Sequence, residues 1–167
     1  MKYSHPRTER GMENSRTVLA ELADKAAESG ISLGLELCNR YETNLINTTA
    51  ETLAFIEQID RPNVFAHLDT YHMNIEEADP YSAVQECAER LGYFHIGENH
   101  RGYLGSGSID FGSVFAALVA VGYDGPIVFE SFSSTVVSPS LSRMLGIWRE
   151  LWTDNEELAR HAAQTIR

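Results

Sequence analysis

Four ionisable residues, Glu36, Asp69, His95 and Glu130, each stand at the C-terminal end of a short apolar run. In parallel α/β folds those strand ends build the active site. A single acid at such a position reads as a helix cap or a solvated loop; four on one face of a sheet read as a site. Three carboxylates and one imidazole projecting from adjacent strands form a ligand set for a divalent cation. The oxygen-rich composition suits Mn²⁺ or Mg²⁺, with Co²⁺ acceptable, over a thiolate-bound zinc. Four protein ligands leave positions open on a five- or six-coordinate ion, where substrate oxygens could bind and a carbonyl be polarised.

Neighbouring segments add candidate contacts. His72 follows Asp69 just beyond its strand, over the mouth of the pocket. In the segment from Glu36 to Glu42, Arg40 and Glu42 could hydrogen-bond polyol hydroxyls, set against a solvated Arg–Glu pair of little energetic weight. The segment from His95 to Gly102 crowds charged groups, including Arg101, into one loop, and the glycines at 102, 105 and 107 match no phosphate-binding pattern. It reads as a mobile substrate loop. Asn47-Thr48-Thr49 fits a glycosylation pattern that carries no meaning in a cytoplasmic chain, and Trp148 and Trp152, spaced i, i+4, read as core packing of a final helix.

The elements that must position these groups alternate between helix and strand. Residues 12–29 carry Leu19, Leu22, Ala23 and Ala26 at helical spacing before Gly30, and 31–37 is an apolar strand. Thr48 to Glu51 resembles a capping box, followed by Leu53, Ile56 and Ile59 on one face, with Pro62 as the stop. Residues 64–68 form the second strand. Asp79-Pro80 opens a helix that turns Val84, Cys87 and Leu91 inward. Residues 93–96 form the third strand. Asp110 caps a helix bearing Val114, Phe115, Leu118 and Val119, stopped by Gly122, and Ile127–Phe129 is the fourth strand. Residues 141–167 read as helical, in two pieces broken near Thr153-Asp154.

This order requires a parallel sheet with right-handed crossovers. Leu33, Leu35, Val64, Ala66, Leu68, Phe94, Ile96, Ile127 and Phe129 form an apolar set. The alternate positions, among them Gly34, Glu36, His67, Asp69, Tyr93, His95 and Glu130, are small, aromatic or polar. A doubly wound sheet is apolar on both faces; one apolar face and one polar interior predict a (β/α) barrel with outer helices.

Composition narrows the function classes. The 167 residues carry a net charge of −11, which argues against binding nucleic acid. No apolar run approaches the roughly 20 residues of a membrane span, and residues 1–11 do not read as a signal peptide. Two cysteines make no disulfide framework, so a reducing, cytoplasmic setting is expected.

The segments Gly34-Leu35-Glu36-Leu37-Cys38-Asn39-Arg40-Tyr41-Glu42, Leu68-Asp69-Thr70-Tyr71-His72-Met73-Asn74, His95-Ile96-Gly97-Glu98-Asn99-His100-Arg101 and Val128-Phe129-Glu130 resemble the ketose 3-epimerases of the xylose-isomerase-like TIM-barrel superfamily. The resemblance runs from about Gly11 to the end. It implies that Glu36, Asp69, His95 and Glu130 ligate a divalent metal, with Mn²⁺ ahead of Co²⁺ or Mg²⁺. It implies further that Glu42, His72 and Arg101 hold the sugar. Glu36 and Glu130 would lie on opposite faces of C3, one removing its proton and the other returning it through an enediolate.

Such a barrel has eight strands in roughly 250 residues, whereas four strands are legible. The chain is expected to be a single domain, 1–167, corresponding to the C-terminal half of the barrel with four βα units missing. Two bare sheet edges would favour a homo-oligomer. Without an Arg/Lys cluster for phosphate, the expected substrate is a free ketose. The competing readings are an aldose–ketose or hydroxypyruvate-type isomerase on the same fold, and a catalytically incomplete half-barrel. A repair endonuclease is disfavoured by six histidines and the acidic charge.

Overall fold

The computed structural model describes residues 5–167. Helix α1 (Glu9–Ala27) is capped by Thr8, whose hydroxyl accepts from the Gly11 amide. It begins three residues earlier than its periodicity predicts. Strand β1 (Leu33–Glu36) comes next, then α2 (Thr49–Ile59). Thr48 Oγ1 accepts from Glu51 N as a capping box requires, but the Glu51 carboxylate reaches back to Asn47 N at 2.9 Å instead of Thr48 N. Helix α2 stops at Asp60, which turns left-handed (φ 54°), two residues before Pro62.

Strand β2 (Val64–Asp69) runs directly into α3 (Thr70–Glu76), a two-turn helix absent from the sequence reading. Asp69 Oδ1 caps it by accepting from Tyr71 N at 2.7 Å. Helix α4 (Pro80–Cys87) leads through a short 3₁₀ turn to β3 (Leu91–Ile96), then come α5 (Phe111–Ala120) and β4 (Ile127–Phe129). Leu91 therefore belongs to a strand, not to the preceding helix. Val119, expected inward on α5, is 79% exposed.

The four strands are parallel in the order β1-β2-β3-β4, as expected. One irregularity matters. Ala66 pairs with Leu91 but His67 with Tyr93, so β3 holds an extra residue at Gly92. Leu91 and Phe94, an odd number of residues apart, can then both face the helix-side core. Beyond the bulge, Tyr93 and His95 line up beside His67 and Asp69. Gly92 tolerates no side chain, because a Cβ there would lie 2.5 Å from that of Phe65.

The core lies between sheet and helices and includes Phe55, Ile56, Val64, Ala66, Leu68, Val84, Phe94, Val114 and Leu118. Leu22, predicted to face it from α1, is half-exposed. The C-terminal region separates into α6 (Pro139–Leu145) and α7 (Asn155–Ile166). The break spans 146–154, longer than predicted, and begins at Gly146 in a left-handed conformation. Both tryptophans fall in it, so neither packs a helix into the core. Trp148 is 71% exposed, and Trp152 donates its indole N–H to Ser131 Oγ at 2.7 Å.

Candidate functional site

The ends of the four strands meet. Glu36 closes β1, Asp69 closes β2 opposite His95 in β3, and Glu130 extends β4 through a hydrogen bond from its amide to Ile96 O. One atom of each group lies within 4.8 Å of every other. His95 Nδ1 is the focus: Glu36 Oε1 is 3.1 Å away, Glu130 Oε2 3.7 Å and Asp69 Oδ2 3.9 Å. Metal–oxygen bonds of about 2.1 Å place octahedral ligands about 3 Å apart in cis and about 4.2 Å in trans. The three distances from His95 Nδ1 fall within that range, and the oxygen-rich donor set suits a hard divalent cation.

Arg101 reaches into the same cluster from the loop after β3. Its Nη1 donates to Glu130 Oε2 at 2.7 Å and Asp69 Oδ2 at 3.1 Å, and its guanidinium lies 3.8 Å over the Tyr71 ring. To get there Arg101 adopts φ 64°, a left-handed conformation that β-carbon crowding disfavours. Hydrogen bonds to its backbone sustain it: its N–H donates to Glu98 O, and its carbonyl accepts from Phe132 N and the Ser131 hydroxyl.

The loop expected to be mobile is tied down from within. Glu98 is fully buried, and its carboxylate accepts backbone N–H groups of Asn99 (3.0 Å), Gly105 (3.0 Å) and Ile109 (3.2 Å). A side chain at Gly107 would meet Asn99 Oδ1 and the Glu98 carboxylate. Gly105 and Gly107 thus serve a buried carboxylate, whereas the Gly102 amide donates to His100 Nδ1 at 2.9 Å.

His72 and Glu42 are joined by Asn39, whose Nδ2 lies 2.9 Å from His72 Nδ1 and donates to Glu42 Oε1 at 3.0 Å. Arg40, a candidate for binding hydroxyls, turns away to form a bidentate pair with Glu76. An open cavity of about 270 Å³ is lined by Glu36, Glu42, His72, Arg101 and Glu130, with Leu145 to Arg149 on its far wall. All seven sequence-predicted residues therefore gather in one place.

Burial pushes the Glu36 carboxyl up, but the hydrogen bond from His95 and the imidazoles of His67 and His95 outweigh it and hold it below the ordinary range. Burial likewise raises Glu130, and there the net shift stays upward, Arg101 only partly opposing Asp69 and Glu36. Burial opposes protonation of His95, yet the surrounding carboxylates lift it overall. His72 is lowered, chiefly by burial.

Sequence reasoning missed Asn39 and Glu98, which carry no signal beyond lying inside charged segments. It placed His67 on the inner face without assigning it a role. That imidazole stacks edge-on against His95 with ring centroids 4.1 Å apart, and its Nε2 is 3.7 Å from Glu36 Oε1. Burial pushes it down to about 4.

A parallel sheet with outer helices and its ionisable groups gathered at strand C-termini defines a site of the α/β-barrel class. The chain belongs to the Xylose isomerase-like TIM barrel family, which matches residues 2–167. It is 58% identical over 166 residues to a ketose 3-epimerase from Arthrobacter globiformis, covering 99% of this chain and 57% of that relative. It is 53% identical to an L-ribulose 3-epimerase from Methylomonas sp. (strain DH-1), covering 99% and 58%. The fold superposes with a TM-score of 0.97 on a D-allulose 3-epimerase from Methylomonas sp. in complex with D-allulose, at 53% identity, covering 99% of this chain and 57% of that one. The chain thus spans a little over half the length of these relatives, and the four strands among its described residues are half the number of a complete barrel.

Proposed function

We propose that this chain carries the metal-holding and acid–base half of a sugar epimerase that inverts C3 of a free ketose. The observation that carries the reading is the convergence of Glu36, Asp69, His95 and Glu130 within 4.8 Å at the strand ends. Similarity to relatives named ketose 3-epimerase and L-ribulose 3-epimerase supports it.

Glu36, Asp69, His95 and Glu130 would hold a divalent cation, for which the oxygen-rich set suits Mn²⁺, with Co²⁺ or Mg²⁺ also acceptable. Bound there, the cation would act as a Lewis acid that draws electron density from the ketose carbonyl and acidifies the proton on C3. Glu36 and Glu130 come from the two outermost strands, with Asp69 and His95 between them. One carboxylate takes the C3 proton, and the C–H electron pair moves into a C2–C3 double bond as the carbonyl oxygen gains charge. The other carboxyl group returns a proton to the opposite face, and the enediolate collapses to the epimer. Arg101 and His72 face the cavity to bind the sugar's oxygens, and Glu42 accepts from a hydroxyl.

Glu130→Gln keeps the size of the side chain and removes the proton-carrying group. It is expected to lower kcat by about 10²–10⁴-fold on ketoses. Appreciable turnover by this variant, with metal content confirmed, would exclude the assignment. A ketose product separates this reading from an aldose–ketose isomerase, whose product carries an aldehyde.

The single domain would form a homo-oligomer, supported by sheet edges β1 and β4 that lack a partner strand among the described residues and by exposed Val18, Leu22 and Ile31; its two free cysteines suit a reducing, cytoplasmic setting. Those edges also favour a second reading, a half-barrel that folds but does not turn over sugar. Metal binding without turnover by the 167-residue chain would select it.

A further inference from the structure

We propose that Asn39 is a positioning residue that fixes His72 as the tautomer protonated on Nε2, so that His72 meets the cavity as a hydrogen-bond donor and not as a base. The inference rests on reading that cavity as a sugar site, but its geometry stands independently.

Asn39 is buried, 1% exposed, and does not line the cavity. Its amide orientation is decided by the backbone: Tyr41 N–H donates to Asn39 Oδ1 at 3.0 Å, so the other end of the amide is the NH₂ group. That group faces His72 Nδ1 at 2.9 Å and Glu42 Oε1 at 3.0 Å, one hydrogen available for each. The Asn39 backbone N–H, which cannot be flipped, also points at His72 Nδ1 from 3.0 Å. With two donors aimed at Nδ1, no proton can reside there.

The proton must then sit on Nε2. Asp69 Oδ2, 3.8 Å from Nε2, favours this on electrostatic grounds. Arg101 Nη2, at 3.4 Å from the same nitrogen, would prefer a lone pair there. The longer contact loses, because hydrogen bonds weaken with distance and the two at Nδ1 are both shorter. A sugar oxygen opposite His72 accordingly acts as an acceptor, whether hydroxyl, carbonyl or the oxygen on which charge develops as C3 is deprotonated. The same amide orients Glu42, so one buried side chain aims both a donor and an acceptor at the ligand. Acting through two others, Asn39 is a positioning residue.

Nitrogen NMR of the chain labelled with ¹⁵N-histidine, metal-free and with diamagnetic Mg²⁺, reads the tautomer directly. The expected His72 pattern is an unprotonated Nδ1 and a protonated Nε2. A protonated Nδ1 overturns the proposal, and this wild-type measurement depends on no variant's folding. Asn39→Asp turns a donor at Nδ1 into an acceptor and is expected to draw the proton onto Nδ1. Asn39→Ala removes the donor without adding charge and is expected to admit the Nδ1–H form as a second population. Wild-type spectra in both variants would give the tautomer to the backbone amide alone and remove Asn39 from the role. The readout needs no sugar, so loss of the epimerase reading and loss of this one are separately visible.

Discussion

Asp69→Asn separates the structural role of one carboxylate from its proposed role as a metal ligand. Asp69 is fully buried; its Oδ1 caps α3 through Tyr71 N, while Oδ2 faces Arg101 and His95. Asparagine retains an oxygen for the cap and loses the anionic ligand. In the metal-free protein three carboxylates crowd within 4.8 Å, with the Arg101 guanidinium paired to two of them and the His95 imidazole beside all three. At that separation each like-charge pair repels by about 3–4 kcal/mol at an effective dielectric near 20. A divalent cation reverses the sign of those interactions. At a concentration of about 100 Kd it should stabilise the fold by about 2.7 kcal/mol. For a chain of this size that corresponds to about 5–10 °C in Tm. Loss of one anionic ligand, taken at the same 3–4 kcal/mol, weakens binding by about two to three powers of ten. At the same metal concentration the shift should then shrink to about 1 °C or less. The assay is thermal unfolding of chelator-stripped protein, with and without MnCl₂. A wild-type protein whose Tm ignores millimolar metal, or an Asp69→Asn variant that keeps the full shift, would refute the reasoning.

Other consequences are measurable on the same protein. Phe94→Ala empties a fully buried site between sheet and helices and should cost about 3–5 kcal/mol, read as a lower denaturant midpoint. Glu98→Gln replaces an acceptor of three backbone N–H groups with a side chain that must turn its NH₂ toward one of them. A loss of about 1–3 kcal/mol is expected, with faster amide exchange at Gly105 or Ile109; wild-type protection would show that the loop holds itself. Burial raises the Cys87 thiol to about 12, so it should resist a thiol reagent at pH 8 until the chain unfolds, whereas rapid labelling of folded protein would contradict its placement. Because that folded value lies above the ordinary 9.0, the neutral thiol is favoured in the fold. Its contribution to stability is present below pH 9 and falls away as pH rises toward 12.

Much of the site was legible because its determinants are local. Strand side chains alternate with period two, so the inward set containing Glu36, Asp69, His95 and Glu130 could be read by counting, and parallel βα order puts such ends together. Capping at Thr48, Asp79 and Asp110 was equally readable, since each cap spans a few residues. Other features depended on partners distant in the chain. The bulge at Gly92 exists because Leu91 and Phe94 must both reach one core, and only pairing with β2 reveals it. Arg101 holds an unfavourable backbone angle because Ser131 and Phe132, some thirty residues away, bind its carbonyl. Trp148 and Trp152 have helical spacing but no helix. Gly146 turns the chain there, and the hydroxyls of Ser131 and Ser133 accept from the Trp152 indole and the Leu151 amide. By itself the amino-acid order determined which residues could do chemistry and on which face they lie. Tertiary structure alone decided their orientation and proton placement: a hydrogen bond between Asn39 and His72 joins groups 33 positions apart, and no local pattern encodes it.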